Sequence, residues 1–319
     1  MGTVRTLCLC VISMIITILP SGNAWAERKI GFLLFSDEVR YIEAAKGIKD
    51  KLVEAGYREP NTQYITAKAG ANKAKAVELA QKFAAEKLDL IVALGTSSAM
   101  VVAKEIKDVP IVFSEVYDPV ETGIAMSWKS SGNNTTGTST FVPIEKIMGS
   151  LKLVRIKRLA VLYTPGEKNS ESVLRDLQLV QAEPGIKIIP VLIATDEDVD
   201  QLLPEVLHRV DGIYITGSNQ VNSRLRTIVD MATKAGVITF SHLDDLIEKG
   251  VLFGVCADSY TLGRLAGEKA VKILHGAKPS SLVIEPLTKF DVILNMKTAR
   301  AGQFPLPLEF MRTVTRKIE

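Results

Sequence analysis

The sequence predicts an α/β protein of two lobes, each a parallel sheet covered by helices. Two observations carry this. From Lys29 onward, short apolar runs alternate with amphipathic helical stretches, the pattern of parallel strands joined by crossover helices. That rhythm halts at a polar, Gly-rich seam near 133–142 and then restarts. A chain of 319 residues also exceeds the ~250–300 residues at which single cores stop growing. The seam therefore reads as a hinge strand or linker.

Each element has a local reason. Residues 30–35 (IGFLLF) form a buried strand. Over 39–55, Ile42, Ala45, Ile48 and Leu52 recur at helical spacing, and Gly56 closes the helix. A short strand at 63–66 precedes a helix capped by Asn72 and running to 85. Strand 90–94 ends at Gly95, helix 97–106 follows, and 111–113 is a strand. After the seam, Pro143 opens a helix to 154. Strand 159–163, helix 170–181, strand 186–193 and helix 198–207 come next, with Pro204 bending that helix or marking its end. Strand 212–216, helix 221–235, strands 237–240 and 251–255 and helix 260–275 complete the second series. Residues 282–294 read as extended, and a short helix lies beyond Asn295. The lobes so delimited are 27–140, completed by about 286–319, and 141–285.

The first 26 residues are read separately. Arg5 supplies a positive charge, and residues 7–19 form an uncharged run of 13. Pro20, Ser21 and Gly22 then break the helix, and Ala24-Trp25-Ala26 sets small residues at the cleavage positions. Thirteen residues are too few to cross a bilayer, which needs ~20. This is a secretory signal, cleaved after Ala26, and a soluble exported protein with no membrane insertion is expected.

Lys and Arg (39) nearly balance Asp and Glu (36), so no basic surface is predicted for a nucleic acid. Only Cys256 follows the signal, in an apolar strand run, so it reads as a small buried hydrophobe. There is no HExxH, GxSxG, CxxC, P-loop or GxGxxG, so no catalytic residue, metal or cofactor is assigned. An enzyme in this fold would need a nucleophile–base pair or a metal set that the motifs do not supply. His208, His242 and His275 lie apart in the chain and read as surface or helix-end residues.

The informative residues are polar groups at strand C-termini, where open α/β sheets bind ligands. In order they are Ser36, Thr96, Ser97, the segment from Glu115 to Asp118, Thr164, Ser218, Asn219 and Asp258. Gly95-Thr96-Ser97-Ser98 joins a strand to a helix, so its N–H groups either cradle an anion or simply receive caps. Asp118 precedes Pro119 and either takes a ligand ammonium or shapes a turn. Asp258 is a ligand group or a helix cap, and Ser218-Asn219 offers donors and acceptors. The Tyr41 ring reads as packing.

The segment Phe113-Ser114-Glu115-Val116-Tyr117-Asp118-Pro119-Val120 with Gly123, followed by Gly132-Asn133-Asn134-Thr135-Thr136-Gly137, resembles the "DPV…G…GGNVTG" signature of a family of ABC-transporter substrate-binding proteins, the tryptophan/tyrosine type. Residues 94–99 (LGTSSA), 260–267 (YTLGRLAG) and 295–299 (NMKTA) match three further signatures in the family's order. The resemblance spans about 29–318. It implies a type-I periplasmic binding fold: two Rossmann-like lobes joined by crossover hinge strands, with a small polar ligand in the cleft between them. It implies that Thr96 and Ser97 hold a carboxylate, that Asp118, Asn219 and Asp258 hold an amine or other polar group, and that Phe35 or Tyr117 stacks on an apolar moiety. An aromatic amino acid is a candidate ligand. The implied partners are an ABC permease and its cytoplasmic ATPase, and the implied location is the periplasm. A ligand-sensing protein that reports to a membrane receptor or kinase is the alternative. One departure stands out. Amino-acid-binding members carry a Glu-His-Pro-like segment after the first strand, where this chain reads Phe35-Ser36-Asp37-Glu38-Val39-Arg40-Tyr41.

Overall fold

A computed structural model describes residues 27–180 and 185–319. The predicted export signal lies outside the described residues, as does Gln181, the predicted end of one helix. The first series runs β1 (Arg28–Leu34), α1 (Val39–Glu54), β2 (Thr62–Lys68), α2 (Lys73–Ala85), β3 (Leu90–Leu94), α3 (Thr96–Glu105), β4 (Ile111–Val116) and β5 (Thr135–Ser139). The second runs α4 (Ile144–Leu153), β6 (Arg158–Tyr163), α5 (Lys168–Val180), β7 (Lys187–Leu192), α6 (Asp196–Leu207), β8 (Gly212–Ile215), α7 (Asn219–Ser223), α8 (Leu225–Lys234), β9 (Ile238–Ser241), α9 (Asp244–Glu248) and β10 (Phe253–Cys256). Then come α10 (Ser259–Leu274), β11 (Glu285–Pro286), β12 (Asp291–Asn295), α11 (Met296–Ala301), α12 (Leu308–Thr313) and β13 (Arg316–Ile318).

Two sheets result, ordered β11-β5-β4-β3-β1-β2 and β13-β12-β10-β9-β8-β6-β7. All pairings are parallel except β10 with β12. Strand side chains alternate between faces, so each sheet feeds two cores. Ile30, Phe32 and Leu34 of β1 join one cluster while Leu33 joins the other. Leu159 and Val161 of β6 face one side, Ala160 and Leu162 the other.

The chain passes between the sheets at 139–144, 256–259 and 286–291. Helix α10 leaves β10 of the second sheet and packs on α1, β4 and β5 of the first. That contact is backbone to backbone. A Cβ on Gly47 would come within 2.2 Å of the Tyr260 carbonyl oxygen, and one on Gly263 within 2.1 Å of the Ala44 oxygen. The sequence assigns 286–319 to the first half, yet β12 and β13 pair in the second sheet, whereas α10 and β11 sit on the first. The physical reason is β12, whose antiparallel pairing with β10 returns the chain.

The seam at 133–142 contains a fully buried strand, β5. Its hydroxyls are satisfied: Thr138 donates to Ser114 Oγ (2.9 Å) and Thr136 to the Leu282 carbonyl (3.1 Å). The predicted helix over 221–235 is two helices, broken at Arg224, whose guanidinium reaches the Asp196 carbonyl and the Asp200 carboxylate. Helix α6 starts earlier than predicted because Thr195 and Asp198 form a capping box, and it carries Pro204 inside it.

Candidate functional site

Six strand C-termini converge on one small cavity between the sheets. The first sheet contributes Arg40 and Tyr41 from the opening turn of α1, Thr96 from the start of α3, and Glu115 and Tyr117 at the end of β4. The second contributes Asn169 from α5, Gly217 beyond β8, and His242 and Leu243 beyond β9. Thr140, in the first crossover, closes one side. This is where open parallel sheets place ligands. The cavity holds about 20 Å³, room for a water molecule rather than an amino acid.

Local backbone geometry aims these groups. Gly95 has φ 92°, which turns β3 sharply into α3, and a Cβ there would meet the Tyr41 hydroxyl at 2.8 Å. The β4–β5 register shifts between Phe113 and Val116, and Glu115 has φ 60°. A non-glycine residue in that region costs ~1–3 kcal/mol and persists only where its surroundings impose it.

The electrostatics are unusual for a buried site. The Arg40 guanidinium donates to both Asp245 oxygens (3.1 and 3.2 Å), to Glu38 and to the Tyr41 hydroxyl (3.3 Å). Burial works against its charge, but Asp245, Tyr41 and Glu38 outweigh this and raise its pKa. For Asp245, burial is likewise outweighed by Arg40 and Lys249, so it stays ionised. Burial, reinforced by Asp244, pushes the Glu115 carboxyl well up against the opposing pull of Arg40. Its Oε1, the Tyr117 hydroxyl and the Ser36 hydroxyl have no hydrogen-bond partner among the described residues. His242 is buried, so the surface reading of this histidine is corrected. Burial and then Arg40 pull its pKa down to about 3, and its Nδ1 shares a 2.9 Å hydrogen bond with the Tyr214 hydroxyl. The Tyr117 ring meets the His242 ring edge-on at 5.3 Å.

The sequence-derived residues divide. Thr96 and Tyr117 line the cavity, while Ser36 is buried nearby in sequence at the end of β1. Ser97 is partly exposed on the first turn of α3. Phe35 lies in the first-sheet core. Asp118 Oδ1 accepts the Val120 and Glu121 N–H groups (2.9 and 3.0 Å), shaping a turn, and the side chain lines a separate outer groove with Trp128 and Phe141. Thr164 and Ser218 bond each other (2.6 Å), Thr164 also donates to the Ile193 carbonyl, and Ser218 caps α7. Asn219 gives its backbone and side-chain N–H to Glu167 (2.8 and 2.9 Å). Asp258 caps α10 through Thr261 and lines a polar pocket with Arg40 and Asp244. Arg40 and His242 were not singled out as site residues by sequence, whereas Glu115 lies in the segment 115–118 that was. The one available signal for Arg40 was the departure from the family pattern at 35–41.

No group of His, Cys, Asp and Glu among the described residues could hold a metal ion, and no described helix is long and apolar enough to cross a membrane.

Comparison with known proteins gives consistent matches. The family described as ABC transporter substrate binding protein matches residues 29–307. The chain is similar to a tyrosine-binding protein of Clostridioides difficile, 26% identical over 278 residues, covering 86% of this chain and 81% of the relative. Among solved structures it is similar to an ABC domain in complex with L-Trp from Streptococcus pneumonia (TM-score 0.85, 23% identity, 92% of this chain and 100% of that one). It is also similar to the ligand-free, open structure of a substrate binding protein with adhesive properties from Clostridium difficile (TM-score 0.73, 27% identity, 92% and 100%).

Proposed function

Because this chain belongs to the ABC transporter substrate binding protein family, we propose that it is the extracytoplasmic solute-binding component of an importer, exported by its first 26 residues. Its ligand is a small polar molecule, an amino acid or related carboxylate or amine, held between the lobes 27–140 and 141–285 with their exchanged C-terminal elements. A permease with a cytoplasmic ATPase reads the closed shape. The observation that carries this reading is a cavity walled by both sheets at their strand C-termini, with Thr140 of the first crossing on its wall. Arg40, Tyr41, Thr96, Glu115, Tyr117 and His242 touch the ligand, with Ser36 and Ser97 at the rim. Asp118 shapes the turn after Tyr117; Thr164, Ser218 and Asn219 order the loops beside Asn169 and Gly217; and Asp258 caps α10.

Hinge closure supplies the mechanism. Contacts that cross from one lobe to the other are already made: Arg40 to Asp245, Asn222 to Glu38 (3.2 Å), and Lys73 to the Gly166 carbonyl (3.2 Å). Arg175 also reaches Glu121. A ligand that touches both lobes binds the closed form better and so shifts the population toward it. A thermal-shift screen of amino acids, carboxylates and amines tests the reading. At 100 times its Kd a ligand stabilises the fold by ~2.7 kcal/mol. A hit should raise the melting temperature, lose that effect in Thr96→Val, and compact the protein in solution scattering. A bound ligand that leaves the scattering profile unchanged refutes closure.

A further inference from the structure

Beside two of the chain crossings lies a groove that the solute-binding reading leaves without a use. It encloses about 650 Å³, within the ~300–1,000 Å³ of small-molecule sites, against about 20 Å³ for the cavity between the sheets. Both halves of the chain wall it. Asp118 and Trp128 come from the first, Asp176 and Leu179 of α5 from the second, and Pro143 and Pro286 stand at the two crossings.

The lining gives the groove a definite chemistry. Its apolar wall carries Trp128 and Phe141, whose rings meet edge-on with centroids 6.1 Å apart, and Leu179, an exposed apolar side chain. Its charged groups are the carboxylates of Asp118, Glu145 and Asp176, and no basic residue is among the described residues that line it. Asp118 and Asp176 face one point from opposite halves: the same Arg175 nitrogen lies 3.8 Å from Asp118 Oδ2 and 3.0 Å from Asp176 Oδ1. That guanidinium is shared with Glu121 as well. Glu145 is exposed and has no ion pair among the described residues, and Lys146, beside it in the chain, lies over the Phe290 ring. Behind Phe141 and Asp176 stands Tyr117. It is 2% exposed, its hydroxyl lacks a well-formed hydrogen bond among the described residues, and its ring packs on Phe141 at 5.6 Å. Burial, and then Asp176 and Asp118, push its pKa up, so the hydroxyl lies toward the groove carboxylates. An anion would meet three carboxylates in this groove, and a neutral body would leave them unanswered. An ammonium with an apolar body gains both the charge-assisted contacts and the ring faces.

We propose that this groove is a second ligand site, separate from the cavity, and that it takes an organic ammonium with an apolar body. The body lies on Trp128 and Phe141, and the ammonium faces Asp118, Glu145 and Asp176. The occupant is a small molecule rather than a protein surface, because the rings and the acids line one concave space of small-molecule volume. None of these five contacts lines the cavity, so this site and the solute-binding reading can fail separately.

Tryptophan emission reads the site directly. Trp25 and Trp128 are the chain's two tryptophans, so with Trp25→Phe the signal is that of Trp128 alone. Phenethylamine, phenethyl alcohol and hydrocinnamate carry the same phenylethyl body on an ammonium, a hydroxyl and a carboxylate. The amine should change the emission saturably and bind about 10-fold more tightly than the alcohol, and hydrocinnamate should bind least. Glu145→Lys reverses one wall charge at an exposed position. It should weaken the amine about 10-fold or more and strengthen hydrocinnamate, while the melting temperature stays close to wild type. Should Glu145→Lys not fold, Glu145→Gln takes its place, with a loss of about 3-fold for the amine. An emission unmoved by the amine, an amine no tighter than the alcohol, or an amine indifferent to a folded Glu145 variant overturns the proposal. Each of those results leaves the solute-binding reading standing, and the thermal-shift screen decides that reading on its own.

Discussion

His242 packs against the Tyr117 and Tyr214 rings, and burial with the Arg40 charge holds its pKa near 3. In the unfolded chain the imidazole titrates at its ordinary value of about 6.5. Between those values the unfolded state binds the extra proton, so stability is complete above about 6.5 and falls as pH falls toward 3. One proton sets a ceiling of ~1.4 kcal/mol per pH unit. Denaturant titrations of wild type and His242→Gln at pH 7 and pH 5 measure it: the gap between them should shrink at pH 5, by roughly 2 kcal/mol. Parallel behaviour at both pH values would mean that the ring charges inside the fold. The residue scale is also where the sequence was least legible. Thr96 and Tyr117 could be placed near a cleft because each follows a recognisable strand. Arg40 carries no sign of its pairing in the sequence, since its partner Asp245 lies 205 residues away. Glu115 lies in a segment that the sequence marks as a strand end, but the bulge that aims it into the cavity leaves no trace in an alternating pattern.

Elements were far more legible, because each rests on local chemistry. The buried runs that became β1, β3, β4 and β6 are apolar enough to be covered on both faces. Asn72 accepts the Lys75 N–H at 3.0 Å and starts α2, as its position before the periodic run requires. Helix α9 is five residues long and offers no periodicity to read. The exchange of C-terminal elements was hidden for a different reason: apolar patterning marks β11 and β12 as extended without saying which sheet each joins. Packing of α1 on α10 gives a test at this scale. A Cβ at Gly263 would overlap backbone atoms of Ala44, which cannot move without moving α1. Gly263→Ala should therefore cost ~1–3 kcal/mol by overpacking. Gly149, exposed in the middle of α4, has nothing within 4 Å of an added Cβ. Gly149→Ala should stabilise the protein by ~0.5–1 kcal/mol through helix propensity alone. Opposite shifts in melting temperature are expected from the same chemical change.

At the scale of the whole molecule, the question is what holds the two lobes together without a ligand. Arg40 and Asp245 are 3% and 1% exposed and join α1 to α9, so under the proposed hinge motion the pair is made only with the cleft shut. Taking two ions out of water is expensive, and the pair adds little net stability. Removing Asp245 is another matter, because the buried Arg40 keeps Glu38 and Tyr41 but loses one of its two carboxylates, part of the ~3–5 kcal/mol that a wholly unpaired buried charge costs. In a single rigid core that cost would fall on folding. The proposed hinge motion offers a cheaper escape: with the lobes apart Arg40 would meet water, while the four apolar clusters on the two sheets would stay intact. Asp245→Ala should thus open the protein rather than unfold it. Solution scattering should show a larger radius of gyration for the unliganded variant, and calorimetry a melting temperature close to wild type. Its ligand affinity should drop, because part of the binding energy must now reclose the cleft. A variant as compact as wild type but much less stable would place the pair inside one cooperative unit, and the two lobes would then not be independently movable bodies.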